Sequence, residues 1–215
     1  MKDETIIDRA LEYARERMTA VKPSHGWDHV ERVTELAVRL AHAEGADTFI
    51  VRLAAILHDI ARAEEDAAPG TTCHAEAGSR EAFEFLTASG LDDARARHVA
   101  DCILTHRFRK TRVPATLEAG VLHDADKLDA IGAIGVGRAF LFAGEVGAKA
   151  HNGNIDVGKT EPYSEEDTAY REYSVKLRYL KDRMRTAEGR RIAEERHEFM
   201  VGFFERLDLE HRGEG

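Results

Sequence analysis

The chain has 215 residues, 43% of them hydrophobic and 33% charged, with 31 basic against 40 acidic side chains and a formal net charge of −9. That length can bury a core without disulfide or metal staples, and the acidic balance argues against a protein that coats nucleic acid, whose affinity comes from Lys and Arg on phosphates. A small anionic substrate is not excluded, because a bound cation can reverse the local field.

The start, Met1-Lys2-Asp3-Glu4, lacks the basic-then-apolar layout of a signal peptide. A first helix is predicted from Thr5 to Met18, where Ile6, Ile7, Ala10, Leu11 and Ala14 recur at helical spacing. Pro23-Ser24-His25-Gly26 breaks it. A second helix follows from Asp28 to Glu44, with Val30, Val33, Ala37, Leu40 and Ala41 as its stripe and Gly45 as its stop. The third starts at Asp47 or Thr48 and runs through Ile60. It is apolar almost all round, so it should lie at the centre of the fold. Residues 64–72, with Pro69-Gly70, read as a loop.

A fourth helix is predicted from His74 to Ser89 and a fifth from Asp92 to His106. Thr116 caps a sixth that carries Leu117, Val121, Leu122, Leu128 and Ile131, after which Gly132, Gly135 and Gly137 loosen it or allow close helix contact. Residues 144–162 are rich in glycine and read as a flexible excursion or lid, within a single domain spanning 1–215. Ser164-Glu165-Glu166-Asp167 looks like an N-cap with an acid three places on. It opens a helix carrying Tyr170, Tyr173, Leu177, Leu180 and Met184. A last helix carries Ile192, Ala193, Phe199, Met200, Phe203 and Leu207, and the aromatic stripes of these two helices read as core. Every segment has the helical period, so the fold class is all-α. No apolar run approaches the roughly 20 residues of a membrane span. Cys73 and Cys102 are too few for a disulfide framework or a Cys-based zinc site. The expected location is cytoplasmic.

Eleven histidines stand out, several beside acids. His58-Asp59 ends the most apolar helix, where an imidazole and a carboxylate are costly unless each has a partner. His29 opens the second helix on its inward side, and His123-Asp124-Ala125-Asp126 places acids among core residues. Three helices could deliver His29, His58, Asp59 and Asp126 to one point. Two imidazoles and two carboxylates suit Mn²⁺, Fe²⁺, Co²⁺ or Ni²⁺, with water completing the sphere.

The order His, then His-Asp, then Asp on helices resembles the signature of the HD superfamily of metal-dependent phosphohydrolases. The resemblance rests on Ser24-His25-Gly26-Trp27-Asp28-His29-Val30-Glu31-Arg32-Val33, on Leu53-Ala54-Ala55-Ile56-Leu57-His58-Asp59-Ile60, and on the run from Asp124 to Gly135. The last stretch, and Thr186-Ala187-Glu188-Gly189-Arg190 with the helix after it, are similar to the small stand-alone HD hydrolases of bacteria and archaea. The resemblance implies an HD-domain helical bundle, a divalent cofactor (Mn, Fe, Co, Ni or Mg) and His29, His58, Asp59 and Asp126 as its ligands. Asp124 and Asp126 face opposite sides of a helix and cannot both bind easily. The Ala-Asp-(Arg/Lys)-Leu stretch of the guanosine-tetraphosphate hydrolases favours Asp126. One departure stands out. Some relatives carry a catalytic Glu three residues after the Asp of the pair, where this chain has Arg62, with Glu64 and Glu65 following.

The resemblance implies hydrolysis of a phosphoester or phosphoanhydride in a small phosphorylated substrate, a nucleotide, with cleavage of a nucleoside triphosphate to monophosphate and pyrophosphate as a candidate. Asp59 would bind metal and orient the nucleophile. Lys127 and Arg32 would neutralise charge developing on the phosphoryl oxygens. His25, Arg62, His74 and His106 are expected to contact substrate, and His74 and His106 are the residues for a second ion if one is held. His123 is expected to pack or to orient a neighbour, while His42, His98, His151, His197 and His211 default to the surface. An exposed helical face could support a homodimer; a membrane and long nucleic acid are not expected partners. Two alternatives remain. One is a catalytically silent nucleotide- or metal-binding regulatory domain, which Arg62 supports. The other is a helical di-iron oxygenase, which would need His74 and His106 as ligands.

Overall fold

A computed structural model describes residues 2–67, 73–107, 112–153 and 155–215, and among them the chain is helical with no strand. Pro69 and Gly70 lie outside the described residues. The chain divides into two compact units, one through Asp126 and one from Lys127 onward.

The first unit is built around a buried helix. α1 (Lys2–Arg17) and α2 (Trp27–Glu44) follow the predicted stripes, and Gly45 ends α2 at φ 75°, its N–H bonding to the Ala41 carbonyl. α3 (Thr48–Leu57) starts at Asp47, whose carboxylate accepts from the N–H groups of Phe49 and Ile50. Its residues Leu53 to Leu57 are wholly removed from solvent, and it packs against α1, α2 and α6 (Asp93–Thr105). This is what a helix apolar on all sides requires. α5 (His74–Ala88) lies along α6, and Asp92 caps α6 by accepting from Arg95 N–H. Residues 62–67 form a short helix, α4 (Arg62–Ala67), rather than the start of a loop. α7 (Leu117–Leu128) begins at Thr116, whose hydroxyl accepts from Ala119 N–H at 3.2 Å. Cys73 and Cys102 are free thiols.

In the second unit the expected long sixth helix is divided. It stops at Leu128, and α8 (Gly132–Glu145) begins afresh. Gly132 adopts φ 75°, which other L-residues rarely take, and a Cβ on Gly135 would lie 2.3 Å from the Ala130 carbonyl oxygen. These glycines permit a sharp corner rather than a loosened helix. The expected helix from Ser164 is also corrected. Thr168 is the cap, accepting from Arg171 N–H, and α9 (Ala169–Val175) is short. Two 3-10 turns, Leu177–Tyr179 and Lys181–Arg183, carry the chain onward. Ser164 instead closes a local turn, its hydroxyl accepting from Glu166 N–H.

α10 (Ala187–His211), capped by Thr186, packs on α8. Phe204 is its buried centre, stacked on Tyr173 with ring centroids 4.3 Å apart. Phe199 departs from the expected core stripe and is exposed. Within the 144–162 stretch, Lys149 N–H bonds Glu165 O and Asn152 Nδ2 bonds Glu166 O. His151, expected at the surface, is buried against the rings of Tyr170 and His211. Among the described residues no helix is long and apolar enough to cross a membrane.

Candidate metal centre

His58 occupies the C-terminal cap of α3 and Asp59 the turn after it, both buried. The end of the most apolar helix therefore delivers both groups into the interior together. α2 contributes His29 from its first turn, and the C-terminal part of α7 contributes Asp126. His29 Nε2 lies 3.3 Å from His58 Nε2 and 3.5 Å from Asp126 Oδ1. One donor atom from each of His29, His58 and Asp126 fits within 4.8 Å, a cluster the size of a metal site. Asp59 Oδ2 stands beside it, 3.6 Å from His58 Nε2 and 3.9 Å from His29 Nε2. Asp124, two residues before Asp126, is fully buried elsewhere and accepts from His123 Nδ1 at 3.0 Å.

A second cluster shares Asp59. Its other oxygen, Oδ1, lies 3.3 Å from His74 Nε2 and 3.7 Å from His106 Nε2, and those two nitrogens are 3.3 Å apart. Asp59, His74 and His106 again fit within 4.8 Å and all are buried. His74 begins α5, and His106 follows the last residue of α6. The packing of α5 on α6 brings together two histidines that are 32 residues apart.

The hydrogen bonds decide which ring nitrogens face these clusters. His58 Nδ1–H donates to the Ala55 carbonyl at 2.7 Å, and His106 Nδ1–H to the Ile103 carbonyl at 2.6 Å. His74 Nδ1 lies 2.7 Å from Glu65 Oε2, a distance that requires a proton between them. In the neutral imidazole Nε2 then carries the lone pair. His74 Nε2, His106 Nε2 and Asp59 Oδ1 are thus three converging acceptors. With the rings neutral such a set could hold a cation, and His and carboxylate donors are those that hold first-row divalent ions. This chemistry fits the metal expected from the sequence.

The electrostatics agree. Burial pushes His106 down to about 3, helped by the neighbouring His58, and burial also lowers His58, so both are held neutral as ligation requires. Burial works to raise the Asp59 carboxyl, but the fields of His58, His74, His106 and His29 overcome it and hold it well below the usual carboxylate range. Asp59 is therefore ionised.

The other expected site residues are placed as follows. His25 is half-buried, its Nδ1 3.0 Å from Ser24 Oγ and its ring edge-on to His29 at 6.0 Å. Arg62 is in the field of Asp59 and bonds Asp66 Oδ1 at 3.0 Å; burial works to lower it, but both carboxylates outweigh that and raise it, so it stays charged. Arg32 bonds Asp28 at 2.7 Å, one turn back on α2. Lys127 is half-buried, the residue after Asp126 in α7. Two residues that sequence reasoning did not single out join the second cluster. Glu65 is buried against His74, and Arg107 bonds both Glu65 carboxylate oxygens. Both were hidden because Glu65 reads as loop and Arg107 follows a helix end, and only packing pairs them.

The chain is similar to known proteins over nearly its whole length. The HD domain family model matches residues 26–131. The Bacillus subtilis (strain 168) protein YpgQ is 34% identical over 217 residues, covering 99% of this chain and 97% of the relative. Its crystal structure in complex with ADP superposes with a TM-score of 0.76 at 31% identity, covering 98% of this chain and 97% of that one. An HD-superfamily hydrolase from Bacillus thuringiensis superposes with a TM-score of 0.74 at 28% identity, covering 99% of each chain.

Proposed function

The chain belongs to the HD-domain family, and from that premise we propose that it is a metal-dependent phosphohydrolase acting on a nucleotide. Its fold is that of the HD-superfamily hydrolases. The observation that carries the proposal is the convergence of His29, His58, His74 and His106 on the two oxygens of a single ionised carboxylate, Asp59, with Asp126 clustered on His29 and His58. We assign His29, His58, Asp59 and Asp126 to a first cation position and Asp59, His74 and His106 to a second, in place of the phosphate contacts expected of the last two. A divalent ion held there lowers the pKa of bound water and polarises a phosphoryl oxygen.

The chain's own residues would supply the rest. Asp59, anionic and fixed among four imidazoles, orients the nucleophilic water by accepting its proton-bearing edge. Arg62 stays charged beside Asp59, where relatives with a Glu at this position would place an acid. It suits the binding of phosphoryl oxygens better than proton removal. Arg32, Lys127 and His25 are proposed to meet the substrate at the rim. The ADP complex of YpgQ supports a nucleotide as the ligand class, and cleavage of a nucleoside triphosphate to monophosphate and pyrophosphate is the reaction proposed.

The test is release of phosphate or pyrophosphate from a panel of nucleoside mono-, di- and triphosphates by the Mn²⁺- or Co²⁺-loaded protein. His58→Ala and Asp59→Asn should abolish it. No turnover of any nucleotide by the metal-loaded wild type would favour a silent binding domain. Because Asp59 touches both clusters, a di-iron oxygenase is the second reading. Two irons per chain with dioxygen uptake, and no phosphate release, would establish it.

A further inference from the structure

The geometry points to Glu65 as a positioning residue that sets the tautomer of His74 for the second cation position, with Arg107 as its counter-charge. This rests on the two-position reading above.

Glu65 is a carboxylate with only 8% of its surface exposed, a placement that is costly unless its oxygens are bonded. They are. Oε2 accepts from the His74 backbone N–H at 3.0 Å and from His74 Nδ1 at 2.7 Å. Arg107 Nη1 lies 2.7 Å from Oε1 and 2.5 Å from Oε2. Arg107 Nη1 is also 3.2 Å from His74 Nδ1, which follows from two donors sharing one carboxylate oxygen. The bond to the His74 main chain and the bond to its ring act together: one holds the first turn of α5, the other the imidazole that projects from it.

The Nδ1 bonds of His58, His74 and His106, three of the proposed ligands, differ in a telling way. His58 and His106 give Nδ1–H to main-chain carbonyls of their own helices. His74 gives it to a carboxylate from another helix. A carbonyl acceptor fixes the tautomer; a carboxylate also pushes electron density into the ring and makes Nε2 a stronger donor. Arg107 balances the charge, so that the position gains basicity without a net negative addition beside Asp59. The consequence is a second position that is adjustable through an outer carboxylate.

The test begins with the metal-free full-length protein and needs no turnover. Ring ¹⁵N spectra, assigned with His74→Gln, should show His74 with a protonated Nδ1. Glu65→Ala should give a mixture of His74 tautomers, leaving His58 and His106 unchanged. Glu65→Gln keeps an acceptor without the charge and should restore the single tautomer. Titration with Co²⁺ alone should then show two binding steps in the wild type. In Glu65→Ala the second step should weaken about 10–100-fold, with the first step kept and partial recovery in Glu65→Gln. A single His74 tautomer retained in Glu65→Ala overturns the proposal, as does a wild-type His74 whose Nδ1 carries no proton. If the tautomer responds as expected but the wild type takes up no second Co²⁺, the two-position reading fails and the positioning role of Glu65 stands. Should Glu65→Ala not fold, Glu65→Met read by the same spectra replaces it.

Discussion

Asp124 and Asp126 carry the same functional group two residues apart, and their surroundings separate them. Asp126 faces His29, whereas Asp124 is spent on His123 in the core. Asp126→Asn should therefore lose divalent-ion uptake in a calorimetric titration while keeping its fold. Asp124→Asn should keep ion uptake and lose about 1–3 kcal/mol of stability in urea melts, from a weakened buried bond. His106 gives a pH signature. It is pushed down to about 3 in the folded chain, against an ordinary value of 6.5. Between those values the unfolded chain binds more protons than the folded one, so stability rises with pH there and falls as the solution is acidified. His58, lowered by burial, acts in the same sense. Urea midpoints of the metal-free protein should drop as pH falls from about 6.5, the unfolding free energy falling by no more than about 1.4 kcal/mol per pH unit for each group. A midpoint that rises on acidification would contradict the neutral, buried state of these rings.

Among the elements, α3 bears most of the burden, because it is buried on every side and ends at the candidate centre. Leu53 and Ile56 are wholly inaccessible. Leu53→Ala should cost about 2–5 kcal/mol by leaving a cavity that the packed helices cannot close. Its cap is a smaller lever: Asp47→Ala removes bonds to two N–H groups and should cost about 1 kcal/mol. Chemical denaturation of the two variants should reproduce that order, and equal losses would mean that the helix is held by its end rather than by its packing. α4 matters for another reason. As a helix rather than a loop it puts Arg62 and Asp66 one turn apart, and it carries Glu65 to His74.

For the whole molecule, the net charge of −9 no longer counts against a phosphorylated substrate. The acids are distributed along the chain, whereas the proposed centre would gather divalent charge beside Arg62 at one place. Ions that bind the folded chain alone stabilise it by mass action. Mn²⁺ at 100 times its dissociation constant should add about 2.7 kcal/mol, a rise in Tm of roughly 5–10 °C in a chain of this size. A chelator should remove the rise, and Asp59→Asn should not show it. An unchanged melting curve in the wild type would count against metal binding.

The sequence by itself determined what is local. Apolar residues at helical spacing placed α2, α3, α5 and α6, and the side chains of Asp47, Asp92 and Thr116 marked where helices begin, because both signals act within one or two turns. The same local chemistry singled out His29, His58 and Asp59 as metal-binding residue types, and the resemblance to the HD superfamily chose Asp126 over Asp124. The tertiary structure decided the rest. Gly132 and Gly135 turn a corner because the backbone there approaches Ala130 too closely for a Cβ. Thr168 rather than Ser164 caps α9, although both sites offer a hydroxyl before an acid. His74 and His106 reach Asp59, and Glu65 reaches His74, only because separate helices pack with those faces together. Helical periodicity says which face of a helix is buried. It does not say which other face it will meet, and a site assembled from several helices depends on that meeting.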